Sequence, residues 1–447
     1  MKRILIENVT LVNEGERFRG SVGICGEQIA EILREGESPS APYDQQIDAT
    51  GCLLLPGVID DHVHFRDPGL TQKADIRSES RAAAAGGVTS VMDMPNTVPQ
   101  TTTLEAWEEK MRRMAAECRV NYSCYFGATN DNYTDFPQLD GRRVCGIKLF
   151  MGSSTGNMLV DRRESLTRIF SGTDLLIAAH CESQEMIRQN TEKYLAEAGR
   201  DNDLPLEYHP LIRSEEACYA SSALAVRLAQ ETGARLHLLH VSTARELELL
   251  EEKPLAGKRI TAEACIAHLL YTEEDYARYG TRIKCNPAIK KATDRKALRA
   301  AVRSGRVDVI ATDHAPHLLA EKQGGALKAV SGMPMVQFSL VSMLELTRQE
   351  VFTVEEVVEK MCHAPARLYG IGQRGFLRTG YQADLVLVRP DAGWTVGPRD
   401  ILSKCGWSPL EGQTFHWRVE KTFVNGQLVY TDAQVADAVR GQELCFY

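Results

Sequence analysis

Val58-Ile59-Asp60 reads as a short buried strand that runs out into Asp61-His62-Val63-His64. On an extended segment, residues i and i+2 point to the same side. The imidazoles of His62 and His64 therefore share one face and suit two bonds to a single metal ion. Alone, such a pair is a weak signal, because paired surface histidines are common. Its weight depends on what the rest of the chain brings to the same place.

Working outward, comparable runs recur at Thr89 to Met94, Asn121 to Gly127, Val144 to Phe150, Leu175 to Ala179, Arg235 to Val241, Ile260 to Ala264 and Val307 to Ala311. With the first they make eight, and helical stretches separate many of them. Ile76 to Ala85, closed by Gly86-Gly87, is one, and Glu215 to Glu231 is another. Strands alternating with helices in this way predict an α/β fold, a (β/α)8 TIM barrel.

The two ends read differently. Ile4-Leu5-Ile6, Val22-Gly23-Ile24 and Ile29 to Leu33 are short strands without a long helical period. Near the C-terminus, Ala383 to Val388 reads as a strand. Lys421 to Val424 and Gln427 to Tyr430 flank Asn425-Gly426, a hairpin signal because a type I′ turn needs positive φ at both central residues. The expected division is a small β-sandwich domain assembled from residues 1–53 and 371–447, around a barrel domain at residues 54–370.

Composition limits the function classes. The chain has 447 residues, 43% hydrophobic and 25% charged, with a formal charge of −8 and no basic block. Nucleic acid and anionic membrane surfaces are therefore not expected partners. No apolar run approaches the roughly 18 residues of a membrane span, and no signal peptide is recognisable. The 12 cysteines are scattered singly without CxxC, as for reduced, mostly buried thiols in a cytoplasmic protein.

The polar residues at the strand ends sharpen the reading. Strand two leads to Asn96, strand four contains Lys148 and strand five ends in His180. Strand six contains His237 and ends in His240, and strand eight ends in Asp313-His314. In a TIM barrel these ends converge on one mouth, so His62, His64, His180, His240 and Asp313 are expected to form one metal centre. Imidazole and carboxylate ligands without thiolates point to Zn2+ or a similar divalent ion. Five ligands exceed the needs of one catalytic ion, so two divalent ions are expected, and two adjacent ions need a bridging anion. Lys148, in Gly146-Ile147-Lys148-Leu149-Phe150, is the candidate. A lysine in so apolar a strand either reaches the mouth, pairs with an acid, or adds carbon dioxide to become a carbamate.

These residues also carry a family resemblance. His62-Val63-His64-Phe65-Arg66-Asp67-Pro68-Gly69 resembles the signature of the dihydroorotases of the amidohydrolase superfamily. Met94-Pro95-Asn96-Thr97, His240-Val241-Ser242, Asn286-Pro287, Thr312-Asp313-His314-Ala315-Pro316-His317 and Gly380 to Leu385 follow in that family's order. The resemblance implies a first metal held by His62, His64 and Asp313, a second by His180 and His240, and carboxylated Lys148 between them. A metal-bridging hydroxide would attack the ring amide, with Asp313 as general acid/base. The implied activity is reversible ring closure of N-carbamoyl-L-aspartate to (S)-dihydroorotate in pyrimidine biosynthesis, a small-molecule reaction. Arg66 and Asn96 would take the exocyclic carboxylate, since an arginine fork binds carboxylate bidentately. Asn286 and His317 would hold the rest of the substrate, and His314 would be a structural neighbour of Asp313. A homodimer is the expected assembly.

The chain departs from the family pattern in places. Ile266-Ala267-His268-Leu269 carries one histidine where two are usual, so His268 is either a site residue or a packing residue. Lys290 stands where arginine is commoner. One branch of the family bridges its metals with an aspartate from an Asp-Asp-Gly loop. The matching stretch here, Ser153-Ser154-Thr155-Gly156, has no acid, which favours the Lys148 carbamate. His237, three residues before His240, is expected on the opposite face of the strand and is read as structural. His209 and Arg213 lie in a long connection that borders the mouth or not, and Ala320 to Gly332 is a segment suited to closing over substrate. The rival readings are an allantoinase or hydantoinase-type cyclic amidohydrolase, and a non-catalytic scaffold relative.

Overall fold

A computed structural model describes residues 2–152 and 157–447; the Ser153-Ser154-Thr155-Gly156 stretch lies outside the described residues. The eight expected runs form eight parallel barrel strands. Strand one is Val58–Val63, strand two Val88–Asp93, and strand three the pair Asn121–Cys124 and Phe126–Gly127, which breaks at Tyr125. Strands four to eight are Ile147–Phe150, Ile177–His180, Leu236–Leu238, Ile260–Cys265 and Val309–Ala311. Almost every residue in them is buried. A parallel strand covered on both faces must be apolar almost throughout, which is why these segments read as continuous runs. The barrel closes where strand eight meets strand one. There His64 N–H donates to His314 O at 2.7 Å, His314 N–H donates to His62 O at 3.3 Å, and Val63 bridges His314 in parallel.

Local chemistry fixes the helices between them. Helix Ile76–Ala85 begins at Asp75, whose carboxylate accepts from Ser78 N–H, and stops at Gly86. Helix Glu215–Thr232 is capped by the Ser214 hydroxyl and ends on Gly233 at φ 73°, a conformation that glycine adopts without steric cost.

The chain ends build one nine-stranded sheet in which Leu53–Pro56 pairs with both Arg3–Asn13 and Leu385–Arg389. The long first strand changes partner along its length, pairing with Gln45–Asp48 near Ile4 and with Leu53 near Thr10. The sheet curls over an apolar core that includes Ile6, Leu11, Ile24, Leu54, Leu385 and Phe423. Its outer hairpin returns to meet the segment that leads into Leu385–Arg389, where Gln28 bridges Gln382 and Ala383 N–H donates to Glu27 O. Among the described residues, no helix is long and apolar enough to cross a membrane.

The C-terminal tail closes the barrel at the N-terminal ends of its strands. Gly441 N–H donates to Cys118 O and Leu444 N–H to Tyr122 O. Leu444 and Phe446 then pack with Ile59, Tyr125 and Leu176. Truncating a buried phenylalanine typically costs about 3–5 kcal/mol. Phe446→Ala should lower the calorimetric unfolding temperature by several degrees, and an unchanged transition would show that the tail does not seal this end.

Candidate active site

All ten candidate site residues, seven from the strand ends and three from the family resemblance, line one cavity of about 440 Å3: His62, His64, Arg66, Asn96, Lys148, His180, His240, Asn286, Asp313 and His317. Three of them depart from ordinary backbone geometry. Arg66, His240 and Asp313 have φ of 65°, 37° and 48°. Such left-handed residues cost about 1–3 kcal/mol each and persist only where the surrounding structure enforces them.

The hydrogen bonds around the imidazoles set their tautomers. His62 Nδ1 lies 2.5 Å from Glu263 Oε1, and His64 Nδ1 lies 2.7 Å from Asn96 Oδ1. Both partners are acceptors, so each Nδ1 carries a proton, and in the neutral ring each Nε2 presents a lone pair. Those lone pairs face Asp313 Oδ1, at 3.3 Å from His62 and 3.1 Å from His64. On the other side, His180 Nε2 donates to Glu182 Oε2 at 2.9 Å, which leaves His180 Nδ1 facing His240 Nε2 at 2.9 Å.

With His62 and His64 neutral, acceptor would thus face acceptor around Asp313 in a buried space, while His240 Nε2 can donate to His180 Nδ1. His62, His64 and Asp313 bring one donor atom each within bonding reach of a single point. That set of imidazole nitrogens and a carboxylate oxygen fits a divalent cation. The charges agree. Burial raises the Asp313 pKa, but His62, His64 and Lys148 outweigh it and hold the carboxyl well below its usual range. His64 is pushed down to about 3, chiefly by burial, so it stays neutral and able to coordinate. Lys148 is 1% exposed, and burial brings its amine down to about 8, with Asp313 and Glu263 opposing the shift.

Against this geometry, known proteins are informative. The amidohydrolase family profile matches residues 162–429, and a dihydro-orotase-like profile matches residues 51–246. The dihydroorotase of Halobacterium salinarum is 35% identical over 92% of this chain and 98% of its own length. The chain belongs to the amidohydrolase family. The dihydroorotase of Aquifex aeolicus is 32% identical to this amidohydrolase over 97% of the chain and all of its own length. The allantoinase of Deinococcus radiodurans is also 32% identical, over 99% of the chain and 98% of its own length. Among solved structures, L-hydantoinase (dihydropyrimidinase) from Arthrobacter aurescens superimposes with a TM-score of 0.91, at 26% identity and 98% coverage of both chains.

The other end of the amidohydrolase cavity has the opposite imbalance. Arg66 is 6% exposed; its Nε donates to Pro316 O at 3.1 Å and one terminal nitrogen to His317 Nε2 at 3.0 Å. Among the described residues, no carboxylate forms an ion pair with it. Lys73 Nζ, itself paired with Glu321 at 2.7 Å, approaches His317 Nδ1 at 3.1 Å, so both ring nitrogens face cationic donors although a neutral imidazole accepts at only one. Asn286 Oδ1 is buried without a hydrogen-bond partner. An unpaired guanidinium and an unpaired amide oxygen thus share this wall, as in a site for a ligand that brings both an anionic group and an N–H donor.

Several residues resolve differently from their sequence spacing. Strand six stops at Leu238 and His240 has positive φ, so His237 and His240 do not alternate across one strand. His237 lies inside the barrel, with Nδ1 bonded to Thr261 Oγ1 at 2.9 Å and Nε2 3.6 Å from both Asp61 and Glu263. His268 is a packing residue that donates to Pro287 O at 3.0 Å and so braces the segment carrying Asn286. His209 and Arg213 do line the cavity, His209 bonding Cys285 O and Arg213 pairing with Glu182. The segment from Ala320 to Gly332 is pinned. Lys322 Nζ donates to the carbonyls of Lys284, Val330 and Gly332, and the Asp203 carboxylate accepts from Gly325 and Leu327 N–H.

Sequence reasoning passed over the carboxylates behind the imidazoles. Glu263 and Glu182 are fully buried within or beside apolar strands, the same signal that drew attention to Lys148. His314 is held by Glu79, which accepts from His314 Nε2 at 2.8 Å, Ser403 Oγ at 2.6 Å and Lys404 N–H at 2.9 Å. His314 Nδ1 in turn accepts from Met335 and Val336 N–H, which fixes the backbone beside Asp313. Each buried donor left without an acceptor costs about 1–3 kcal/mol. Glu79→Ala should therefore destabilise the protein by at least ~2 kcal/mol, read as a lower denaturation midpoint. A midpoint equal to wild type would remove Glu79 from this support.

Proposed function

We propose that this amidohydrolase is a dihydroorotase, interconverting N-carbamoyl-L-aspartate and (S)-dihydroorotate in pyrimidine biosynthesis. One observation carries the substrate assignment: the buried Arg66 guanidinium on the cavity wall has no carboxylate partner among the described residues. A buried guanidinium is costly unless an anion meets it, and dihydroorotate brings a carboxylate that allantoin and simple hydantoins lack.

His62, His64 and Asp313 would hold one divalent ion, and His180 and His240 a second, both zinc by the chemistry of the donors. The Lys148 amine would carry a carbamate joining the two sites. Burial supports this, because carbon dioxide adds to the neutral amine, which releases a proton as the N–C bond forms. When bound, such ions polarise a carbonyl and lower the pKa of water.

The chain's own residues do the rest. Arg66 takes the ring carboxylate through its fork. Asn96 Oδ1 is engaged by His64, so its amide N–H2 is the group available to the same carboxylate. Asn286 Oδ1 accepts from a ring N–H, and His317 completes the wall beside Arg66. Asp313 accepts a proton from the water that attacks the ring amide carbonyl and delivers it to the departing nitrogen as the C–N bond breaks. In ring closure the same proton moves the other way and water is released. The expected setting is the cytoplasm, consistent with the 12 free thiols, and the expected assembly is a homodimer.

A charge-assisted hydrogen bond is worth about 1.5–3 kcal/mol. Arg66→Gln should therefore lower kcat/KM for dihydroorotate by roughly 10- to 150-fold, while turnover of unsubstituted hydantoin, however slow, stays near its wild-type value. A wild-type enzyme that hydrolyses hydantoin or allantoin faster than dihydroorotate would overturn the assignment. Lys148→Ala should lose activity; full activity in that variant would remove the carbamate from the reading.

A further inference from the structure

Each inward-facing imidazole whose outer nitrogen is bonded has a different partner, and the differences matter. His64 is held by a neutral amide, Asn96. His180 is held by Glu182, whose charge is already taken up by Arg213 at 2.5 Å. His62 is held by Glu263, which among the described residues has no arginine or lysine partner.

Glu263 lies in barrel strand seven and is fully buried. Its Oε1 accepts three hydrogen bonds, from His62 Nδ1 at 2.5 Å, from the His240 backbone N–H at 2.9 Å and from Cys265 Sγ at 3.4 Å. One oxygen therefore sets the ring of a residue on strand one and the backbone of a residue beyond strand six, where φ is 37°. These are donor residues of the two different ion sites. The second oxygen, Oε2, has no hydrogen-bond partner and stands 3.6 Å from His237 Nε2, which is fixed by Thr261. His237 thus stands against the far side of Glu263.

We propose that Glu263 is a positioning residue of the metal centre, and that its negative charge strengthens the hold of His62 on the first ion. The inference rests on the two-ion reading above. A carboxylate behind a ligating histidine fixes the tautomer and raises the basicity of the inward nitrogen. Here it also supplies, with Asp313, anionic charge that balances the cation. Because the same atom holds His240 N–H, it sets the spacing between the two sites as well.

The charge can be separated from the shape. Glu263→Gln keeps the size and an acceptor oxygen and removes the charge; Glu263→Asp keeps the charge on a shorter stem. Zinc dissociation constants of the full-length protein, from competition with a graded chelator, are the readout, with the unfolding temperature of the chelator-treated protein alongside. Outer carboxylates of this kind typically contribute about 10–100-fold in metal affinity. Glu263→Gln should therefore weaken at least one zinc by that factor, and Glu263→Asp should recover much of the loss. Unchanged constants in Glu263→Gln, or equal losses in folded Gln and Asp variants, would overturn the role given to the charge. A lower unfolding temperature with unchanged constants would mark Glu263 as structural only, and overturn it too. A wild-type protein that binds no zinc would instead fail at the two-ion reading on which this one rests.

Discussion

The constraint on which the rest depends is a shortage of protons inside one cavity and a surplus of them a few residues away. Around Asp313, the inward nitrogens of His62 and His64 crowd one carboxylate oxygen at about 3 Å, and with the rings neutral these are acceptors facing an acceptor. Around His317, the Arg66 and Lys73 donors both face one ring, and only Lys73 has a carboxylate, Glu321, beside it. Buried polar groups are normally paired, and an unpaired one is costly. A protein that keeps both imbalances must have both relieved by what it binds. A cation suits the first and an anion the second, so the two halves of the site explain each other.

Holding such groups together requires a rigid frame, and the barrel supplies it. The donors come from the ends of strands one, five, six and eight, and three of the imidazoles are fixed from outside, His62 by Glu263, His64 by Asn96 and His180 by Glu182. Glu263 reaches His62 across 201 residues, and Glu79 reaches His314 across 235. Positive φ at Arg66, His240 and Asp313 turns the chain sharply just past the strands. The support extends into the terminal segments, since Ser403 and Lys404 donate to Glu79 and Trp407 Nε1 donates to His317 O. The β-rich end of the chain thus takes part in shaping the mouth.

Much of this architecture was legible in the linear sequence, for a physical reason. Parallel strands buried on both faces must be apolar nearly throughout, so all eight stand out, with ends misjudged by only a few residues. Charged or polar residues at their C-terminal ends then stand out against that background. Where the reading erred, a local backbone feature was responsible. His237 and His240 were assigned to opposite faces by simple alternation, but strand six ends at Leu238 and the left-handed turn at His240 breaks the alternation. The Gly-containing segment before Gly332 looked free to move, yet the Lys322 ammonium and the Asp203 carboxylate pin it through backbone groups, contacts that composition does not reveal.

The sequence by itself determined the periodic strands and helices, the chemical types at each strand end, and the family to which the chain belongs. Those properties are local, carried by apolar period, caps and motif order. Only the tertiary structure decided which nitrogen of each histidine faces inward, because that depends on acceptors such as Asn96, Glu182 and Glu263 brought in from other strands and loops. It alone placed Arg66 in a buried site with no carboxylate paired to it among the described residues, assigned His268 to packing, and put one oxygen of Glu263 between His62 and His240. Hydrogen-bond direction and burial are set by neighbours far away in the chain, and those neighbours exist only once the barrel has closed.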